Sequence, residues 1–192
     1  MSKNKGYTYL NIVVSTLVIL SFMYVGIIYY RNLKEKREIE GVNAAVNAVI
    51  AKQKIVNIFT DFSAEAFDNE KSYNIKIDYI LKKIIVYENI IREKESIRLP
   101  TSLKYATVYN KENVEKFEIK MTKNGNITPS FSIYIFGYND MAKYRISFYG
   151  FDIVKFMKIN VYRNIKNKKA KYENIVSYHE KFSYEEDGWQ KE

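Results

Sequence analysis

The chain of 192 residues holds one histidine, His179, followed at once by Glu180, and this pair is where acid–base chemistry would first be sought. A serine–histidine–carboxylate set can be assembled from distant positions, but no G-x-S-x-G elbow is present. Cysteine is absent, which excludes thiolate nucleophiles, thiolate metal sites and disulfides. One histidine does not make a multi-histidine metal site. No G-x-x-x-x-G-K-[ST] phosphate loop occurs. Glu185, Glu186 and Asp187, close to Trp189, read as a solvated acidic terminus. A basic run is more suggestive: Lys155, Lys158, Arg163, Lys166, Lys168, Lys169 and Lys171 follow one another without an acid, with Phe156 and Tyr162 interleaved. Such a run could contact DNA phosphates. It could equally be a solvated hairpin loop centred on "NIKNKKAK". The expectation is a non-catalytic protein that needs neither cofactor nor metal.

The bulk composition bounds the architecture. The net charge is +9, hydrophobic residues make up 47% and aromatic residues 16%, with 18 tyrosines. That is too aromatic for a disordered chain. The length suits one membrane segment and one modest core. Lys, Asn, Ile and Tyr are all abundant, so the basic balance alone identifies no partner.

Tyr7 to Tyr30 is an uncharged, mostly apolar run. At 1.5 Å per residue it gives roughly 36 Å of helix, enough to cross a ~30 Å hydrocarbon core. Tyr7 and Tyr9 lie at one end and Tyr24, Tyr29 and Tyr30 toward the other, as in aromatic belts. The run is too long for a secretory signal, and no small-x-small cleavage site follows it. Lys3 and Lys5 precede it, whereas Arg31, Lys34, Lys36 and Arg37 follow; a positive-inside count puts the C-terminal side in the cytoplasm. Helical periodicity continues beyond the span through Ile39, Val42, Ala45, Val46, Val49, Val56 and Phe59. One helix from about Tyr7 to about Ala66 is expected, its second half presenting an apolar stripe.

From Tyr73 the period changes to two. Tyr73–Tyr79, "KIIVY" at Lys83–Tyr87, Leu103–Tyr109, Phe117–Thr122, Ile127–Phe136, Lys143–Tyr149, Ile153–Arg163 and Tyr172–Tyr184 read as strands. Asn124-Gly125 between alternating runs suggests a type I′ turn. Short strands with tight connections imply an antiparallel sheet whose apolar face is covered by the helix. The resulting organisation is a leader at 1–6, a transmembrane segment at 7–30, an amphipathic continuation at 31–67 and a β domain at 68–192. The fold class is α+β.

With this plan in view, "KGYTYLN" resembles the leader of type IV pilins and type II secretion pseudopilins. In that family a short basic leader ends in Gly, and an aromatic residue begins the mature chain. The resemblance implies cleavage by a prepilin peptidase between Gly6 and Tyr7, with methylation of the new amine. The fifth mature residue of the family is usually Glu; here it is Asn11, which points to a minor, tip or priming subunit. "NGNITPSFSIYIF", "AKYRISFYGF", "KINVYR" and "KIIVYEN" with "IRLPTSLKY" are similar to the sheet of the H-type minor pseudopilins, although Thr128-Pro129-Ser130 stands where that family has extra glycines. The resemblance implies a pilin-like fold and assembly with other pilins or pseudopilins. It also implies a single-pass location in the bacterial inner membrane, with the C-terminal domain extracytoplasmic or at a filament tip. The remaining alternatives are an unprocessed single-pass protein with a β-rich binding domain, and a DNA-binding tip pilin.

Overall fold

The computed structural model of the chain describes residues 4–89, 92–150, 157–166, 170–181 and 188–192, with backbone alone at 4–9 and 181. A 65-residue helix, α1 (Asn4–Asp68), opens the chain. Among the described residues, eleven strands and a short helix follow: β1 (Tyr73–Asp78), β2 (Lys83–Tyr87), β3 (Glu93–Arg98), β4 (Lys104–Tyr109), β5 (Glu112–Val114), β6 (Lys116–Met121), β7 (Ile127–Thr128), β8 (Phe131–Phe136), β9 (Ala142–Tyr149), β10 (Lys158–Asn164), α2 (Ile175–Lys181) and β11 (Trp189–Lys191). The chain divides into two compact units, Met1–Val42 and Asn43–Glu192. The described residues of the first are helix alone. The second is an α+β body with a pilin-like plan, in which helix packs on antiparallel sheet.

That body holds two sheets where the alternation pattern suggested one. Their strand orders are β3-β2-β1-β6-β7 and β11-β10-β9-β8-β4-β5. The first gets its register from paired apolar side chains: Tyr73 lies opposite Met121, Ile75 opposite Ile119 and Ile77 opposite Phe117. In the second, Ile133 faces Ile146 and Phe131 faces Phe148. Both sheets turn these rows toward α1 in one core. Phe59 is its hub, with its ring 4.4 Å from Phe148 and 6.0 Å from Phe131. The other face of the second sheet is also covered: Ile175 and Trp189 pack there with Ala106, Val108, Tyr134 and Phe136.

Four local expectations are corrected. The helix stripe that enters the core is Ala44, Ala48, Ala51, Ile55, Phe59, Phe62 and Ala66. Val42, Val46 and Val49 are exposed instead. By helical periodicity Val42, Val46 and Val49 fall nearly opposite that stripe, so the two sets cannot share one buried face. Ile127–Phe136 is not one strand, because Pro129 has no N–H for a ladder bond and the chain changes sheet between β7 and β8. The turn after β6 is not type I′. Gly125 N–H closes it on Thr122 O at 2.9 Å, and Gly125 alone in the loop has positive φ, 70°. This is the longer hairpin loop with Gly in the left-handed position. Last, Tyr172–Lys181 is helical: a 3-10 turn at Tyr172–Asn174 leads into α2. Asn174 Oδ1 accepts the Lys171 N–H at 2.9 Å and starts it. Ile175, Tyr178 and His179 then share one face at helical spacing. The first part of the expected strand Ile153–Arg163 lies outside the described residues, as does 182–184 at the end of the expected strand Tyr172–Tyr184.

Candidate functional site

Residues 7–30 of the first unit are mostly apolar and carry no charge. The most apolar window of Leu10–Asp68 has a mean hydropathy of 2.3, and none of that window is buried. Leu17, Leu20, Phe22, Val25 and Ile27 are each more than half exposed. In water such a surface would be a severe liability; in hydrocarbon it is the solvent-matched state. Two hydroxyls of the run fit that medium. Thr16 Oγ1 donates to Ile12 O and Ser21 Oγ to Leu17 O, both at 2.8 Å, so neither hydroxyl needs water. The end of the run is polar: Arg31 pairs with Glu35 at 3.1 Å.

Gly6 and Tyr7 lie within α1 by their backbone. Asn11 lies four residues further on, exposed, and among the described residues its amide has no hydrogen-bond partner. An amide in hydrocarbon is stabilised by a partner on another helix. The helix thus offers a lipid-compatible surface with one polar position near its start.

The basic run is spread out. Lys155, Lys168 and Lys169 lie outside the described residues. Lys158 and Arg163 are both exposed on β10, but on opposite faces of the strand, about 16 Å apart along it. Lys171 bridges to Met141, and the Lys166 side chain lies against Gly188. Among the described residues, sequence proximity therefore does not make one continuous cationic face.

His179 is half-buried on α2, with Nδ1 2.8 Å from the Tyr134 hydroxyl. Burial, and secondarily the Arg145 charge, hold its pKa at about 4. The neighbouring Ser132 hydroxyl is engaged by Ser147 Oγ at 2.9 Å and by Arg145 Nη2 at 3.3 Å. Arg145 itself is sandwiched between the rings of Tyr134 and Tyr162, 5.7 Å from each centroid. The cluster binds three strands to α2, and His179 serves it as a neutral acceptor or donor. Sequence reading missed it because its members come from β8, β9, β10 and α2, and only His179 stood out by type.

No known family model and no curated protein matches the sequence. Solved structures do resemble it. The similarity is to a minor pseudopilin. One structure of the minor pseudopilin EpsH from the type 2 secretion system of Vibrio cholerae matches with a TM-score of 0.44 and 14% identity, over 59% of this chain and 95% of that one. A second structure of the same pseudopilin matches with a TM-score of 0.40 and 12% identity, over 64% and 94%.

Proposed function

We propose that this chain is a minor, pseudopilin-like structural subunit, held in the membrane by residues 7–30 and assembling with other pilins or pseudopilins through that segment. The observation that carries the reading is the single helix Asn4–Asp68, apolar and exposed in its first half and core-forming in its second. One element that serves as both anchor and core wall suits a subunit whose apolar helix can exchange lipid for neighbouring helices without refolding its body. The Gly6–Tyr7 bond is the processing site for a prepilin peptidase, and Asn11 is the polar position met by a neighbour. The body lies on the extracytoplasmic side, despite the four cations at 31–37.

Mass spectrometry of the protein from membranes of its host tests this. The expected N-terminus is N-methylated Tyr7. An intact N-terminus at Met1 or Ser2, in cells that process their other pilins, would mean a plain anchored protein. Orientation is read separately. The chain has no cysteine, so Lys111→Cys carries one thiol. Labelling of that thiol by a membrane-impermeant reagent in intact spheroplasts is expected; labelling only after lysis would place the body in the cytoplasm.

A further inference from the structure

The β1–β2 connection carries two bulky aliphatic side chains outward: Ile80 is 63% and Leu81 66% exposed. Gly, Asn, Asp and Ser are the residues that usually occupy such a turn. The tip is nevertheless fixed on both sides. Asp78 Oδ1 accepts the Leu81 N–H at 2.9 Å. Tyr79 N–H donates to Glu115 O at 3.0 Å, and its hydroxyl lies 2.7 Å from Thr107 Oγ1. Lys82 has φ 49°, accepts the Leu99 N–H at 2.8 Å, and turns its ammonium inward to the carbonyls of Thr101 and Leu103.

The surroundings of the tip are basic. Lys83 lies opposite Arg98 in the β2–β3 ladder. The Lys54 ammonium donates to Arg98 O at 2.9 Å. Lys116 stands 3.7 Å from Asp78. Of the carboxylates here, Asp78 is buried and spent on the Leu81 amide and on Lys116, and Glu115 is exposed. A fixed apolar pair is thus rimmed by three further cations, Lys54, Lys83 and Arg98, against one exposed acid.

We infer that Ile80 and Leu81 anchor a docking site for a protein partner whose surface offers an apolar pocket edged with carboxylates. The reading is independent of the filament role proposed above. A pre-shaped anchor loses little conformational freedom on binding, which benefits a shaped partner more than a fluid surface. Apolar centre and charged rim is also the general anatomy of a protein interface. A second copy is a poor occupant. The groove over Ala45, Ala48 and Tyr144 is edged by Lys143 and Arg163, so docking the tip there would oppose like charges.

The test places a photo-crosslinking amino acid at Leu81 in the full-length chain, in membranes of its host. The same group at Lys111, which is exposed on β4–β5, is the control. The expected result is a protein adduct specific to position 81, whose crosslinked peptide is rich in Asp and Glu. It should fall by about tenfold in Lys54→Glu/Lys83→Glu and persist in Lys54→Arg/Lys83→Arg. Thermal melts of both pairs of variants establish that the body remains folded. A lipid adduct, an adduct to another copy of this chain, an adduct shared with position 111, one indifferent to charge reversal, or none at all overturns the inference.

Discussion

Gly150 and His179 show how much one position can carry. A Cβ on Gly150 would sit 1.9 Å from Ile127 O, a backbone atom that cannot rotate away. The same residue donates its N–H to Ser130 Oγ at 2.9 Å, so it ties the end of β9 to the crossing between the two sheets. Gly150→Ala must part the two strands, and a loss of at least about 2 kcal/mol is expected, read as a drop of roughly 5–10 °C in melting temperature. Ser130→Ala, which removes one exposed hydrogen bond, should cost about 1 kcal/mol or less. His179 makes a pH prediction. Its folded pKa, about 4, lies below the ordinary 6.5. The unfolded chain therefore binds the extra proton between those values, and stability is present above pH 6.5 and lost as pH falls toward 4. The full shift would correspond to about 3 kcal/mol; with the ring half-exposed, solvent screening reduces the expectation to about 1–2 kcal/mol. Urea unfolding at pH 7 and pH 5 should show the loss, and His179→Gln should flatten it. Gly150 directly follows the alternating run Lys143–Tyr149, where a glycine commonly ends a strand. The carbonyl oxygen that makes glycine obligatory there was not legible, because Ile127 is remote in sequence. His179 was legible by type alone, and its depressed pKa arises from a burial that only α2 and β8 together create.

Strands were the more legible elements, and the reason is periodicity. Tyr73, Ile75 and Ile77 alternate because one face of β1 is wholly buried. Strand β3 was missed because it is an edge: its Glu-Lys-Glu-Ser-Ile-Arg is exposed almost throughout and carries no apolar alternation. The charges suit that place, since they discourage pairing of a free edge with other chains. The face of α1 was misread for a different reason. An apolar count treats Val46 and Ala48 alike, whereas Ala48 lies on the buried stripe with Ile55 and Phe59 and Val46 lies on the exposed one. A size-sensitive prediction follows. Ala51 is fully buried, and Ala51→Leu should overpack the seam between helix and sheets by about 1–3 kcal/mol. Val46→Ala, on the exposed stripe, should change stability by less than about 0.5 kcal/mol. Thermal melts of the two variants decide it: equal effects would mean that the two stripes are not inequivalent in the way their burial indicates.

At the scale of the molecule, the long apolar segment was plain from length and the absence of charge, and so was the covering of the sheet by the second half of the helix; the residue at which the folding body begins was not. A composition reading ends the helix near residue 67 and begins the β domain at 68. The core ignores that line: Ala44, Ala48, Ile55, Phe59 and Phe62 share one cluster with residues of both sheets. Ser63 reinforces it, its hydroxyl donating to Gly125 O at 2.5 Å from a buried position. The C-terminus is fastened to the same helix. Lys52 pairs with Glu192 at 2.5 Å and lies 5.0 Å from the Tyr144 ring centroid. Glu192 N–H donates to Val161 O at 2.9 Å beside β10. Residues 44–66 are therefore a wall of the body rather than a stalk beneath it. A protein begun at Asn43 should be soluble, monomeric and cooperatively folded, because it keeps every residue of both clusters and none of the exposed apolar window. One begun at Asn69 uncovers the inner rows of two sheets at once, including Phe131 and Phe148. Loss of Phe59 alone from such a core costs about 3–5 kcal/mol, a large part of a domain's total stability, and the whole helix supplies several such side chains. The shorter protein should therefore be unfolded or aggregated. Circular dichroism and size-exclusion chromatography of the two fragments check this; a stable, monomeric fragment from Asn69 would show that the sheets close without the helix.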